Sequence, residues 1–117
     1  MGKRWTGGAV LAALLTVAGP AAEAHARLVA SAPAANSAGP AVPALVLSFS
    51  EPVEPPLAKV EVSLSGAAVS TTLQATGPKE LTLSFAAPLV PGIYAVHWRV
   101  VASDMHKSEG DFTFTVK

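Results

Sequence analysis

Residues 89–100 read LVPGIYAVHWRV. The Pro-Gly pair at 91–92 marks a turn. After it, apolar side chains occupy every second position, at Tyr94, Val96, Trp98 and Val100. Because side chains two positions apart lie on the same face of a strand, this period predicts a half-buried antiparallel β-strand. A Tyr near the start of a strand also fits a tyrosine corner, in which the phenol hydroxyl bonds back to the upstream backbone of a β-sandwich.

The same alternation recurs along the chain between breaks rich in Pro and Gly, which return roughly every ten residues. It predicts strands over residues 45–50, 59–65, 81–85, 93–102 and 111–116, with shorter strands near 28–31 and 69–75. No segment after residue 24 has a convincing helical period. We therefore predict an all-β domain: a seven-strand Greek-key sandwich or barrel, cupredoxin-like or immunoglobulin-like.

Composition excludes several functions. The chain of 117 residues has 8 Lys and Arg, 8 Asp and Glu, and no Cys. A net charge of zero with 14% charged residues argues against a nucleic-acid partner. The lack of Cys excludes disulfides, thiolate zinc sites, iron–sulfur clusters, cysteine nucleophiles and blue-copper centres.

The N-terminus has the pattern of a secretory signal peptide. Lys3 and Arg4 precede an apolar run over 7–19, and the small-x-small sequence Ala22-Glu23-Ala24 follows. The run is shorter than the ~20 residues of a membrane span. We predict a leader over residues 1–24 and a domain over 25–117 that is periplasmic or secreted and spans no membrane. Cleavage after Ala26 stays open, because Ala24-His25-Ala26 is also small-x-small, and it would remove His25.

Two features could bind a metal. Cleavage after Ala24 would give His25 a free α-amine beside its ring Nδ1, and both nitrogens can chelate one ion. Asp104 and His106 follow a predicted strand, and in extended backbone positions i and i+2 point to the same side, with Met105 turned away. Three nitrogens and one carboxylate oxygen suit a tetragonal Cu(II) ion, which also heads the Irving–Williams order.

Three segments carry a resemblance to a known family. They are His25–Ala34 (HARLVASAPA), Leu47–Val53 (LSFSEPV) and Gly92–His106 (GIYAVHWRVVASDMH). Together with the C-terminal Gly110–Val116 (GDFTFTV), they resemble the CopC family of small periplasmic copper-binding proteins. The resemblance implies a Cu(II) protein for copper sequestration or transfer, in resistance or homeostasis, rather than an enzyme.

The resemblance also implies roles for individual residues. His25 would form a histidine brace, and Asp104 and His106 would complete the metal site. Glu51 would lie near the site, as a weak ligand, an outer partner or a solvated strand end. Apart from the resemblance, the guanidinium of Arg99 is expected either to bond Asp104 or Glu51 and orient that carboxylate, or to lie on a solvated strand face.

Three further expectations concern the departures from the family and the core. Met105 replaces the family's Gly or Thr, and the Met-rich Cu(I) segment of some members is absent. We expect Met105 to pack rather than to touch copper, His97 to lie at the surface, and Trp98 to be the central core aromatic.

A monomer is expected, and the implied partner is an inner-membrane protein similar to CopD. Two alternatives remain at this stage. Histidine braces also serve copper monooxygenases, and a sandwich of this size can be a metal-free interaction module.

Overall fold

The computed structural model describes residues 25–117, so the predicted leader over 1–24 lies outside the described residues. Residues 25–117 form nine β-strands and one short 3-10 helix, Pro55–Leu57. The strands are β1 (Leu28–Ala32), β2 (Ala38–Gly39), β3 (Ala44–Phe49), β4 (Lys59–Leu64), β5 (Ala67–Val69), β6 (Thr71–Gly77), β7 (Glu80–Phe85), β8 (Gly92–Val101) and β9 (Lys107–Val116). In this part of the chain, no helix has the length and hydropathy needed to cross a bilayer.

The strands form two sheets, which confirms the predicted all-β class. One sheet has the order β1-β3-β7-β6, and the other has the order β2-β9-β8-β4-β5. All pairs are antiparallel except the two-residue contact of β2 with β9. The chain passes from one sheet to the other before and after β2, between β3 and β4, between β5 and β6, and between β7 and β8. Some neighbouring strands are therefore distant in sequence, such as β3 and β7 or β4 and β8.

The core contains the residues that the period of two assigned to the inner face. These side chains become buried between the sheets because alternate positions of each strand face the opposite sheet. The most buried of them are Leu45, Leu47, Leu81, Leu83, Tyr94, Val96, Val100 and Phe114. Trp98 is also buried, at 7% exposure, and its ring meets Phe49 edge-on at 5.3 Å. The expectation that Trp98 is a core aromatic is therefore confirmed.

The tyrosine corner is confirmed as well. The hydroxyl of Tyr94 donates a hydrogen bond of 2.6 Å to the carbonyl oxygen of Val90, four residues upstream. The ring stacks on Phe114 with centroids 5.3 Å apart. This bond fixes the turn that leads into β8, the long strand at the centre of the second sheet.

Residues 25–117 have nine strands instead of the predicted seven, and one of the two additional strands is the short β2, which pairs with β9. The segment 69–75, predicted as one strand, is divided at Ser70: β5 pairs with β4, whereas β6 pairs with β7 in the other sheet. Alternation identifies a half-buried strand, but it does not reveal which sheet the strand joins. The strand β9 also begins at Lys107, four residues before the prediction, because the polar stretch 107–111 pairs fully with β8.

Gly110 gives Trp98 the space that it occupies. The two residues are cross-strand partners, and a Cβ at Gly110 would lie 2.7 Å from Cζ2 of the indole. We expect Gly110→Ala to lower the free energy of unfolding by ~1–3 kcal/mol, because the ring or β9 must shift. Urea unfolding followed by the emission of Trp98 measures this. Gly39→Ala is the control: its Cβ would meet no atom within 4 Å, so we expect a change within ~0.5 kcal/mol. Equal losses in both variants would contradict this interpretation.

Candidate metal centre

The turn between β8 and β9 carries two of the predicted ligands. It is closed by hydrogen bonds from the N–H of Met105 to the carbonyl of Ala102 (2.8 Å) and from the N–H of Ala102 to the carbonyl of His106 (2.9 Å). Met105 has a φ of 72°, in the left-handed region. The expected extended backbone over 104–106 is therefore wrong, because the chain reverses direction here.

Asp104 and His106 nevertheless face each other, and the turn is the reason. One carboxylate oxygen, Oδ1, accepts a hydrogen bond of 3.1 Å from the backbone N–H of His106. The other, Oδ2, lies 3.0 Å from Nδ1 of the same residue. These two contacts hold the pKa of the Asp104 carboxyl below its usual value, the backbone bond being the larger cause. Asp104 therefore remains a carboxylate, and its contact with the ring is at Nδ1 of His106.

His25 reaches this turn from the other end of the chain. Its ring centroid lies 4.7 Å from that of His106, with the planes tilted by 40°. Ala26, the next residue, is buried at 1% exposure, and its carbonyl accepts a hydrogen bond of 2.7 Å from the hydroxyl of Ser108. The N–H of Arg27 donates to the hydroxyl oxygen of Ser50 at 2.9 Å. Of the three residues predicted as ligands, His106 thus lies next to both of the others: its ring approaches that of His25, and it contacts the carboxylate of Asp104.

Glu51 lies on the segment 50–52, between residues 25–27 and the turn that holds Asp104 and His106. The N–H of Ser50 bonds the carbonyl of Arg27 (2.9 Å), and the N–H of Ser103 bonds the carbonyl of Pro52 (3.0 Å). Glu51 is half-buried, and its carboxylate forms no hydrogen bond or ion pair with another of residues 25–117. Its backbone is therefore close to the candidate site, while its side chain has no fixed partner in the described chain.

Arg99 does not contact Asp104 or Glu51. Its Nε lies 3.9 Å from Oε1 of Glu109, the residue opposite it on β9, and the side chain is 51% exposed. It lies on the outer face of the second sheet, because the inward positions of β8 are those of Trp98 and Val100. Of the two interpretations of Arg99, the solvated strand face describes this arrangement.

Met105 is 65% exposed, so the expectation that it packs is wrong.

His97 lies at the surface as expected, but it has partners that the sequence analysis missed. Its Nδ1 lies 2.7 Å from Oδ1 of Asp111, and its Nε2 lies 3.2 Å from Oε1 of Glu109. Since a neutral imidazole has one N–H, carboxylates at both nitrogens favour the imidazolium. The bond to Asp111 raises the pKa of His97. The pairing of His97 with these carboxylates depends on the register of β8 against β9, which the sequence alone does not specify.

The side chains alone give a partial ligand set. Among residues 25–117, no three His, Cys, Asp or Glu side chains converge so that they could hold a metal ion. Asp104 turns both of its oxygens toward His106, and the nitrogen of His25 is a peptide amide because Ala24 precedes it. The expected amine ligand therefore requires a cut between residues 24 and 25.

Comparison with known proteins assigns the family. The family model described as the CopC domain matches residues 28–117. The chain belongs to the CopC family. The match contains Glu51, Arg99, Asp104 and His106, and it begins three residues after His25.

Relatives and solved structures agree with this assignment. The chain is 39% identical to Protein YobA of Escherichia coli K12, over 84% of this chain and 83% of that protein. It is 36% identical to Copper resistance protein C of Pseudomonas syringae pv. tomato, over 82% and 83%. The crystal structure of PcoC, a methionine-rich copper resistance protein from Escherichia coli, matches 80% of this chain and 100% of its own with a TM-score of 0.76 and 34% identity. CopC from Methylosinus trichosporium OB3b matches 80% and 94%, with a TM-score of 0.72 and 35% identity.

The raised pKa of His97 predicts a pH dependence of stability. Because the pKa of His97 is higher in the folded state than in the unfolded state, its protonation stabilises the fold. This contribution is fully present below the pKa that His97 has in the unfolded state. This contribution is lost as pH rises through the folded pKa. We expect Asp111→Asn to lower the pKa of His97 measured by NMR titration, because it removes the largest cause of the shift. Lys59→Gln, which changes a charge on the same face, is the control. An unchanged pKa in Asp111→Asn would contradict the assignment.

Proposed function

We propose that this protein binds Cu(II) in the periplasm, for sequestration or for transfer in copper resistance or homeostasis. The observation that carries the proposal is the 4.7 Å approach of the His25 and His106 rings beside an ionised Asp104. The relatives named as copper resistance proteins support it, and so does the match of the CopC family model to residues 28–117, which include the turn that holds Asp104 and His106. Copper is the cargo in this proposal.

The proposed ligands are the α-amine and Nδ1 of His25, the imidazole of His106 and the carboxylate of Asp104. The first two form a histidine brace when the chain begins at His25. Nitrogen donors with one carboxylate match the preference of Cu(II) for tetragonal N,O coordination. The negative charge of Asp104 favours the cupric over the cuprous ion. A soft Cu(I) site would need several thioethers, and residues 25–117 contain only Met105.

The proposal includes export and processing. The leader over 1–24 would direct the chain to the periplasm, and cleavage after Ala24 would free the amine of His25. Cleavage after Ala26 would remove a residue that is 1% exposed and whose carbonyl is hydrogen-bonded, together with His25 itself. A domain beginning at His25 therefore keeps both the metal ligand and this part of the core. A monomer that passes copper to an inner-membrane protein similar to CopD completes the proposal.

The buried aromatic residues argue against the enzymatic alternative. A copper monooxygenase that acts on a polysaccharide needs exposed aromatic rings to hold its substrate. The only Tyr and the only Trp of residues 25–117 are Tyr94, at 1% exposure, and Trp98, at 7%. The metal-free module is distinguished by the titration below, because it predicts no response to Cu(II).

Three variants test the ligand set on secreted protein whose intact mass corresponds to a chain beginning at His25. Competition with a Cu(II) chelator measures affinity. We expect His25→Ala and His106→Ala each to weaken binding by at least ~100-fold, because outer partners of a metal alone contribute 10–100-fold. His97→Ala, which removes a surface imidazole, is the control and should bind as the wild type does. A chain with one extra residue before His25 keeps every side chain but loses the amine, so it should also bind weakly. Wild-type affinity in both histidine variants would exclude this site.

Acid is expected to release the copper. Amine and imidazole nitrogens bind a metal only in their unprotonated form, so protons compete with Cu(II) for them as the pH falls. Asp104, with its lowered pKa, loses its charge only at more acidic pH. The d–d absorption band of bound Cu(II) should therefore disappear on acidification and return on neutralisation. An unchanged band at pH 4 would contradict a site rich in nitrogen.

A further inference from the structure

We propose that Ser108, assisted by Ser50, is a positioning residue that holds the N-terminal segment so that His25 stays at the metal site. This inference rests on the proposed function. The two serines and residues 26–27 form what we call the serine clamp. Ser108 donates to the carbonyl of Ala26 (2.7 Å), and Ser50 both accepts from the N–H of Arg27 (2.9 Å) and donates to its carbonyl (2.9 Å).

The clamp is needed because His25 lies before the first strand. The strand β1 begins at Leu28, so residues 25–27 precede the strand ladder. The ends of a chain fray unless they are tied down. A brace that uses the first residue therefore needs local contacts that fix it, and the serine clamp supplies them together with the burial of Ala26.

The clamp also fixes the distance between the two histidines. Ser108 lies two residues after His106 on β9, and its bonding partner Ala26 directly follows His25. The single bond between these positions joins residues 82 apart in sequence. Each end of this bond is thus one or two residues from a proposed ligand. The bond therefore restricts the positions of His25 and His106 relative to each other.

The two serines contribute differently. Ser108 acts only through its hydroxyl, so replacement by Ala leaves the buried carbonyl of Ala26 without this partner. Ser50 keeps its backbone bond to the Arg27 carbonyl when its hydroxyl is removed. We therefore expect the larger effect from Ser108→Ala and a smaller one from Ser50→Ala.

Cu(II) affinity of secreted protein beginning at His25 tests the inference. Partners that orient a ligand contribute 10–100-fold to metal affinity. We expect Ser108→Ala to weaken binding about ten-fold and to change the EPR spectrum of bound Cu(II) toward fewer nitrogen donors. Ser108→Thr retains a hydroxyl and should restore both. Ser63→Ala is the matched control: Ser63 is also a half-buried serine of the second sheet, with no side-chain hydrogen bond in residues 25–117. It should bind as the wild type does.

A double variant separates positioning from general destabilisation. If Ser108 acts through His25, Ser108→Ala should cause no further loss in a His25→Ala background, because the group that it positions is gone. An equal ten-fold loss in that background would overturn the inference, and so would wild-type affinity in Ser108→Ala alone.

A measurement without copper distinguishes failure of this inference from failure of the proposed function. ¹⁵N relaxation of Ala26 and Arg27 should report increased motion in Ser108→Ala and none in Ser63→Ala. If the wild type bound no Cu(II), the proposed function would fall, and these data would still decide whether Ser108 orders the segment. Unchanged relaxation in Ser108→Ala would overturn the clamp itself.

Discussion

The seating of residues 25–27 between the ends of β3 and β9 is the constraint on which the site depends. Burial of Ala26 and the bonds to Ser50 and Ser108 attach this segment to the sandwich. The site that we propose uses a chain terminus and must compensate for the conformational freedom of that terminus. In the proposal, the core and two hydroxyl groups do so and keep His25 near His106.

The second half of the site is organised locally. The turn after β8 places Met105 in the left-handed region and brings both oxygens of Asp104 onto His106. A left-handed conformation is unfavourable for a residue with a side chain. The turn is retained because its own backbone bonds and the long β8–β9 pairing fix both of its ends. Asp104 and His106 therefore form a preorganised unit, to which His25 is added by tertiary contacts.

The outer face of the second sheet is separate from this arrangement. His97, Arg99, Glu109 and Asp111 pair across β8 and β9 and satisfy one another's charges. They lie on the side of the sheet opposite the core, as their alternation with Val96, Trp98 and Val100 requires. This explains why Arg99 meets Glu109 and not Asp104: its position on the strand fixes its direction, whatever charges lie near the turn.

The sequence by itself determined the fold class, the inner face of each long strand, the corner at Tyr94 and the chemical types of the candidate ligands. These follow from a period of two, from turn residues and from donor chemistry, all of which are local. Only the tertiary structure decided that the segment 69–75 divides at Ser70, that 104–106 is a turn, and that the hydroxyl groups of Ser50 and Ser108 bond to residues 26–27. Those features depend on which strands pair and in which register. Pairing is a contact between distant residues, and no local pattern specifies it.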